Sequence, residues 1–212
     1  WLGNTELLLS IIKLIEDKMN LENDLKAGVQ MILLVEDNIR FYSSFLPMLY
    51  KFILQQSLNF ATEALNNTLE TLRMRGRPKI VLARNYEEAW QVYQQYSDNT
   101  MGVISDCRFP INKDSEKIAN AGVQLLKAIR AQDPFLPLIL DSSEEENVKY
   151  AVECDAMFIN KNSKSLDHDL SKIILHKFGF GDFIFRHADT LEPMVRIHNL
   201  KELQDNIFTL PR

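Results

Sequence analysis

Residues 102–110 read GVISDCRFP, a short apolar run that ends on a carboxylate and meets a proline four residues later. Val103 and Ile104 have the character of a buried strand. An unpaired ionised carboxylate buried beside them would cost several kcal/mol. Asp106 is therefore expected where the strand opens to solvent, facing something that offsets its charge.

Working outward, three more apolar runs have the same form: MILLVED (31–37), KIVLARN (79–85) and PLILDSS (137–143), with a weaker fifth, AMFINK (156–161). Each of the five is followed by helical periodicity. After the first, Ile39, Phe41, Tyr42, Phe45, Leu46, Leu49, Phe52 and Ile53 recur at spacings of three and four. YEEAWQVYQQY (86–96), GVQLLKAIRAQ (122–132), EENVKYAVE (145–153) and LDHDLSKIILHKF (166–178) follow the others. Strand and helix alternating in this way predict an α/β fold: a doubly wound, five-stranded parallel sheet with helices on both faces. Near-continuous apolar strands fit burial on two sides.

Local punctuation agrees with that reading. Ser143 and Glu146 have capping-box spacing for the fourth helix, and Gly179 can close the fifth. Arg75-Gly76-Arg77-Pro78 stops whatever helix precedes the second strand. Pro47 should kink the first helix. The long helical region from Asn38 to Met74 is expected to break near Ser57–Asn59, leaving a helical insertion at about 58–75 with Phe60, Leu65, Leu69 and Leu72 as its packing surface. Residues 180–212 change pattern. DFIFR and MVRI alternate with period two around HADTLEP, as a hairpin would, and Asn199 with Glu202 can cap a short last helix.

The chain has 212 residues, 46% apolar and 25% charged, with a net charge of −5. That charge argues against nucleic acid, since phosphate contacts need clustered Lys and Arg. The basic run from Arg73 to Lys79 reads as a solvated turn. Cys107 and Cys154 form no disulfide framework, which suits a cytoplasmic setting, and the four histidines lack metal-ligand spacing. The chain begins at Trp1 rather than Met. LLLSIIKLIEDK (7–18) is interrupted by charges and too short to span a bilayer. Residues 1–29 therefore read as a linker or dimer helix within a longer natural protein, so a homodimer stays open and a membrane partner is not expected.

In an open parallel sheet, ligands bind beyond the carboxyl ends of the strands. The polar residues at those ends are Glu36 and Asp37 on the first strand and Asp106 on the third. The fourth gives Ser142, with Asp141 before it, and the fifth gives Lys161. Two carboxylates about 4 Å apart repel by roughly 4 kcal/mol at an effective dielectric near 20. A hard divalent cation removes that repulsion, and Mg²⁺ favours carboxylates, waters and phosphate oxygens. Lys161 can pair with an acid at rest and with a phosphoryl oxygen later, and Ser142 can donate to another. Asp106 then becomes a nucleophile, as carboxylates do in covalent phosphoryl transfer.

This arrangement resembles the receiver domain of two-component response regulators. The resemblance rests on the acidic pair in LLVEDN, Asp106 with Pro110, Ser142 after LPLIL and Lys161 after MFIN, and covers roughly Gln30 to Phe178. GVQLLKAIR is similar to the helix after the phosphoacceptor loop, and Phe158 stands where the family carries its aromatic switch residue. The resemblance implies a flavodoxin-like sheet of order 2-1-3-4-5 in a receiver domain over 30–179. It also implies a phosphoryl group accepted on Asp106 from a histidine kinase or a phosphotransfer protein. Mg²⁺ would be held by Asp37, Asp106 and the backbone carbonyl of Arg108, with Glu36 acting mostly through water, while Ser142 and Phe158 report the modification. Such a domain is no enzyme beyond its own phosphorylation and dephosphorylation.

The sequence departs from that family in places. Asn162 replaces the proline that usually follows the lysine, so a cis bond there is not expected. Asp141 replaces an apolar residue and needs a partner such as Lys164 or water. The loop 111–121, INKDSEKIANA, is longer than the family's. Residues 1–18 resemble the end of a further receiver, one in which Gly3 stands in the lysine position. The flanks RMRGRPKIVLARNYEEA and FGFGDFIFR resemble the N-terminal regulatory region of phosphoenolpyruvate-synthase-like proteins. Two other readings stay open: a phosphorylation-independent pseudo-receiver that docks or dimerises, and a Mg²⁺-dependent phosphohydrolase. Arg108 opposes the latter, since such enzymes usually carry an acid two residues after the nucleophile.

Overall fold

Five parallel strands form the centre of the computed structural model, which describes residues 5–62, 76–178, 183–186, 189 and 193–197. They are β1 (Met31–Val35), β2 (Lys79–Ala83), β3 (Thr100–Asp106), β4 (Leu138–Ser142) and β5 (Met157–Asn160), in the spatial order β2-β1-β3-β4-β5. All pairings within this sheet are parallel. That order is the flavodoxin-like one, whose strand direction of growth reverses between β1 and β3 and leaves a crevice at their carboxyl ends.

The strand sequences explain the layers. Successive side chains alternate between faces, so β1 sends Leu33 and Val35 one way and Ile32 and Leu34 the other, all of them buried. On the first face they meet α3 (Tyr86–Tyr96), α4 (Ala121–Gln132) and α5 (Val148–Glu153) through Ala89, Tyr93, Leu125, Leu126, Ile129 and Ala151. On the second face they meet α2 (Ile39–Thr62) and α6 (Leu166–Lys177) through Phe45, Leu49, Ile53, Leu170 and Ile174. Asn85 starts α3 by accepting the Glu88 N–H at 2.9 Å, which satisfies one of the helix's free donors.

Several local expectations are corrected. α2 runs unbroken from Ile39 to Thr62, so the break expected near Ser57–Asn59 is absent; Pro47 lies inside the helix as the sequence placed it. The rest of the expected insertion, and the Gly179 helix stop, lie outside the described residues. Ser143 does not cap the fourth helix: a 3-10 turn at Glu145–Asn147 leads into α5, and neither start carries a side-chain cap. The hairpin is present as β6 (Phe183–Arg186) paired antiparallel with β7 (Pro193–Ile197), whereas the last helix falls outside the described residues.

The N-terminal segment is also corrected, from a linker to a packed element. α1 (Thr5–Lys26) lies against α2 and β2, and its inward face mixes polar and apolar residues, with Ser10, Asp17 and Leu25 buried and Leu14 packed against the core. Asp17 accepts hydrogen bonds from Arg77 Nη2 at 2.6 Å, Tyr50 Oη at 2.8 Å and the Ile80 N–H at 3.0 Å. Lys79, from the same run, reaches Asp24 at 2.9 Å. Arg77 and Lys79 are therefore buried ion-pair partners rather than a solvated turn. Leu8, Ile12, Ile15 and Met19 form the outward face of α1 and are exposed.

Burial, with Asp17 alongside, raises the Tyr50 phenol and keeps it protonated as a donor. Removing Asp17 would strand a buried guanidinium, a backbone N–H and this phenol together. Asp17→Ala is expected to destabilise the fold by about 3 kcal/mol or more in urea denaturation. Tyr50→Phe, which loses one hydrogen bond, should cost only about 1 kcal/mol.

Candidate functional site

β1, β3, β4 and β5 end side by side, and their last residues converge because the parallel register is nearly flush. Val35 pairs with Ser105, Asp106 with Asp141, and Asp141 with Ile159. The polar residues just past the core thus surround a cavity of about 800 Å³, lined by Asp106, Arg108, Lys117, Ser142 and Lys161 among others.

Lys161 is the hub. Its Nζ contacts Asp106 Oδ1 at 2.8 Å, Asp141 Oδ2 at 3.4 Å and Glu36 Oε2. The Lys161 side chain is only 2% exposed, and its ammonium also sits 4.4 Å from the centre of the Phe41 ring. Burial alone would lower its pKa, but Asp141, Asp106 and Glu36 together outweigh that and raise it. Lys161 therefore stays charged. Burial pushes the Glu36 carboxyl up against the pull of Lys161, and Asp106 adds to the rise.

Glu36, Asp37 and Asp106 each offer a carboxylate oxygen, and these atoms lie within 4.8 Å of one another. Asp37 Oδ1 is buried with no hydrogen-bond partner, although Oδ2 pairs with Lys117 at 2.6 Å. Three hard oxygen donors with one atom unsatisfied fit a small divalent cation. Asp106 Oδ1 also accepts the Cys107 N–H at 2.8 Å.

Ser142 borders the same cavity. Its Oγ accepts the Glu144 N–H at 3.1 Å and an Asn147 Nδ2–H at 2.9 Å, so the hydroxyl proton is left to point elsewhere. Phe158 is half-buried, packed against the core of the α3–α5 face, and pairs in register with Leu140. Arg108 lines the cavity from the loop after β3. Cys107 is buried, which pushes its thiol up to about 11 and leaves it a poor nucleophile. Among the described residues no peptide bond is cis, including the one before Asn162.

Of the expected site residues, Asp106, Arg108, Ser142 and Lys161 line one cavity, Glu36 and Asp37 join Asp106 in the acid cluster beside it, and Phe158 is not part of the lining. Two others join them. Asp141 is a fourth carboxylate of the cluster, and its partner is Lys161 rather than Lys164. Lys117 enters because the loop 111–121 doubles back, its Lys117–Ile118 pairing antiparallel with Phe109–Pro110. The unusual length of that loop was the one sequence signal for it. Beneath the loop, α4 touches the site directly. The Gly122 N–H donates to the Cys107 carbonyl at 3.1 Å, and a Cβ on Gly122 would stand 1.9 Å from the Asp106 carbonyl oxygen.

No family model matches the sequence, and no curated protein matches it. Solved structures do resemble it in fold. A response regulator receiver domain protein from Clostridium thermocellum is 16% identical, with a TM-score of 0.48 and coverage of 71% of this chain and 94% of that one. The chemotaxis protein CheY4 of Vibrio cholerae is 16% identical with a TM-score of 0.47, covering 70% and 98%. The receiver domain of NtrX from Brucella abortus is 18% identical with a TM-score of 0.43, covering 69% and 96%. These are similarities of backbone, and the chemistry of the site is read from its own side chains. Among the described residues no helix is long and apolar enough to cross a membrane.

Asp141 yields a pH dependence. Burial raises its carboxyl to about 7 from an ordinary 3.8, with Asp106 and Glu36 adding to the rise and Lys161 opposing it. Between those values the folded chain keeps a proton that the unfolded chain has lost, so stability falls as pH rises through this window. The stability of Asp141→Asn relative to the wild type should rise between pH 5 and pH 8 by on the order of 2 kcal/mol, measured by chemical denaturation at both pH values.

Proposed function

We propose that residues 30–179 form a phosphoacceptor receiver domain in which Asp106 takes a phosphoryl group. The observation that carries this reading is Lys161, a buried cation 2.8 Å from Asp106 Oδ1 and in contact with two further acids of the same cluster. A permanently charged amine held against one particular carboxylate can follow a phosphoryl oxygen once that carboxylate is esterified.

In the reaction, an Asp106 oxygen forms the new P–O bond. The P–N bond of a phosphohistidine on a histidine kinase or phosphotransfer protein breaks, its electron pair stays on the ring nitrogen, and that nitrogen takes up a proton from water to leave neutral imidazole. Glu36, Asp37, Asp106 and the Arg108 carbonyl would hold Mg²⁺, which when bound supplies positive charge opposite the transferred oxygens. The free proton of Ser142 can be turned toward the new phosphoryl group, and Phe158, on the neighbouring strand, would carry the change to the surface beside β4 and β5. Partners are then soluble proteins of the cytoplasm, with neither nucleic acid nor membrane required.

A second reading, a phosphorylation-independent docking module, is favoured by Lys117, whose ammonium rests on Asp37. Incubation with a small phosphodonor or beryllofluoride and Mg²⁺ separates the two. Intact mass or chemical shifts should show an adduct in the wild type and none in Asp106→Asn. Lys161→Ala should keep the Mg²⁺ requirement yet lose most of the adduct. A wild type that stays unmodified where another receiver reacts would leave the docking module.

A further inference from the structure

The two lysines at the site differ in how firmly they are held. Lys161 is sealed among three carboxylates. Lys117 Nζ lies 2.6 Å from Asp37 Oδ2, yet its side chain is 43% exposed while that of Asp37 is 11% exposed. Asp37 Oδ1 is buried without a partner. Lys117 therefore satisfies one oxygen of a carboxylate whose other oxygen it leaves unmet, and it can leave for water at little cost.

The backbone beneath Lys117 is held in place. Its pairing with Phe109–Pro110 is flanked by a turn in which the Asn112 N–H donates to Ser115 Oγ at 3.0 Å and the Ser115 N–H donates to the Asn112 carbonyl at 3.2 Å. On the other side, the Cys107 thiol donates to the Ala119 carbonyl at 3.4 Å. The loop thus presents the ammonium to the acid cluster from a fixed base, and only the flexible side chain has to move to release it.

We infer that Lys117 is a tethered, displaceable counter-cation that occupies Asp37 at rest and must release it before a divalent cation is seated, so that this loop residue sets the cation affinity of the site. This inference rests on the reading of Glu36, Asp37 and Asp106 as a cation site. It adds that cation loading is an exchange, one ammonium out for one divalent ion in. The metal dependence of phosphorylation would then be tuned from the 111–121 loop and not only by the acids.

Calorimetric titration of Mg²⁺ into the full chain tests it, using the wild type, Lys117→Gln and Asp106→Asn. The expected result is Mg²⁺ binding about 5-fold tighter in Lys117→Gln than in the wild type, the scale of a partly exposed ion pair, with binding lost in Asp106→Asn. Binding seen in Lys117→Gln alone supports the same conclusion. Equal affinity in the wild type and Lys117→Gln, lost in Asp106→Asn, overturns the counter-cation while leaving the cation site intact. Weaker binding in Lys117→Gln overturns it too, since Lys117 would then be positioning Asp37 for the ion. Absence of any Asp106-dependent binding removes the cation site and this inference together.

Discussion

The contact of one buried ammonium with three carboxylates is the constraint on which the carboxyl edge of this sheet depends. Glu36, Asp106 and Asp141 come from three different strands, and Lys161 follows a fourth. Without Lys161 the acids would repel one another across a few Å of poorly solvated space, and the strand ends would have reason to splay. With it, β1, β3, β4 and β5 are cross-linked where their hydrogen-bonded pairing runs out. The contact that organises chemistry at the site is therefore also a closing interaction of the fold.

A second buried ion pair works away from this site. Asp17 on α1 gathers Arg77, Tyr50 and the Ile80 N–H where the chain enters β2. Both clusters lie where strands begin or end, because those are the places where unpaired backbone and charged side chains reach the margin of an otherwise apolar core. They differ in saturation. Among the described residues, the buried side-chain atoms left without a hydrogen-bond partner are Asp37 Oδ1 and Asp141 Oδ1, both at the Lys161 site. Asp17 has its hydrogen bonds made. The unsatisfied cluster is the one with capacity left to bind something.

Strand positions and the parallel, doubly wound character of the sheet were legible in the sequence because two-sided burial leaves a dense apolar signature, with helices between the runs; the strand order came from the family resemblance. The acids and the lysine were legible for a related reason: charge at the end of an apolar run has to be accounted for. What escaped was whatever depended on contacts distant along the chain. Arg77 and Lys79 looked like a solvated turn because the carboxylates that bury them, Asp17 and Asp24, lie far upstream on a helix that read as a linker. That Asp141 needs a partner was legible, but Lys161 was not among the candidates named for it, Lys164 or water, for want of the β4–β5 register. Lys117 was hidden in a polar loop whose backward fold leaves no periodic trace. The capping expectation at Ser143 failed because a 3-10 turn starts α5 later than the spacing implied.

Gly122 carries a mechanical consequence. The first turn of α4 rests on the backbone of Asp106 with no side chain between them, so nothing compressible separates the helix from the strand end. A shift of the Asp106 carbonyl by a few tenths of an ångström cannot be taken up by a rotamer change at that contact. It has to become either a tilt of α4 as a rigid rod or a break in the Gly122–Cys107 hydrogen bond. One missing methyl group thus makes the helix a lever with its fulcrum at the acid, able to turn a local change at one carboxylate into displacement at its far end, near Gln132.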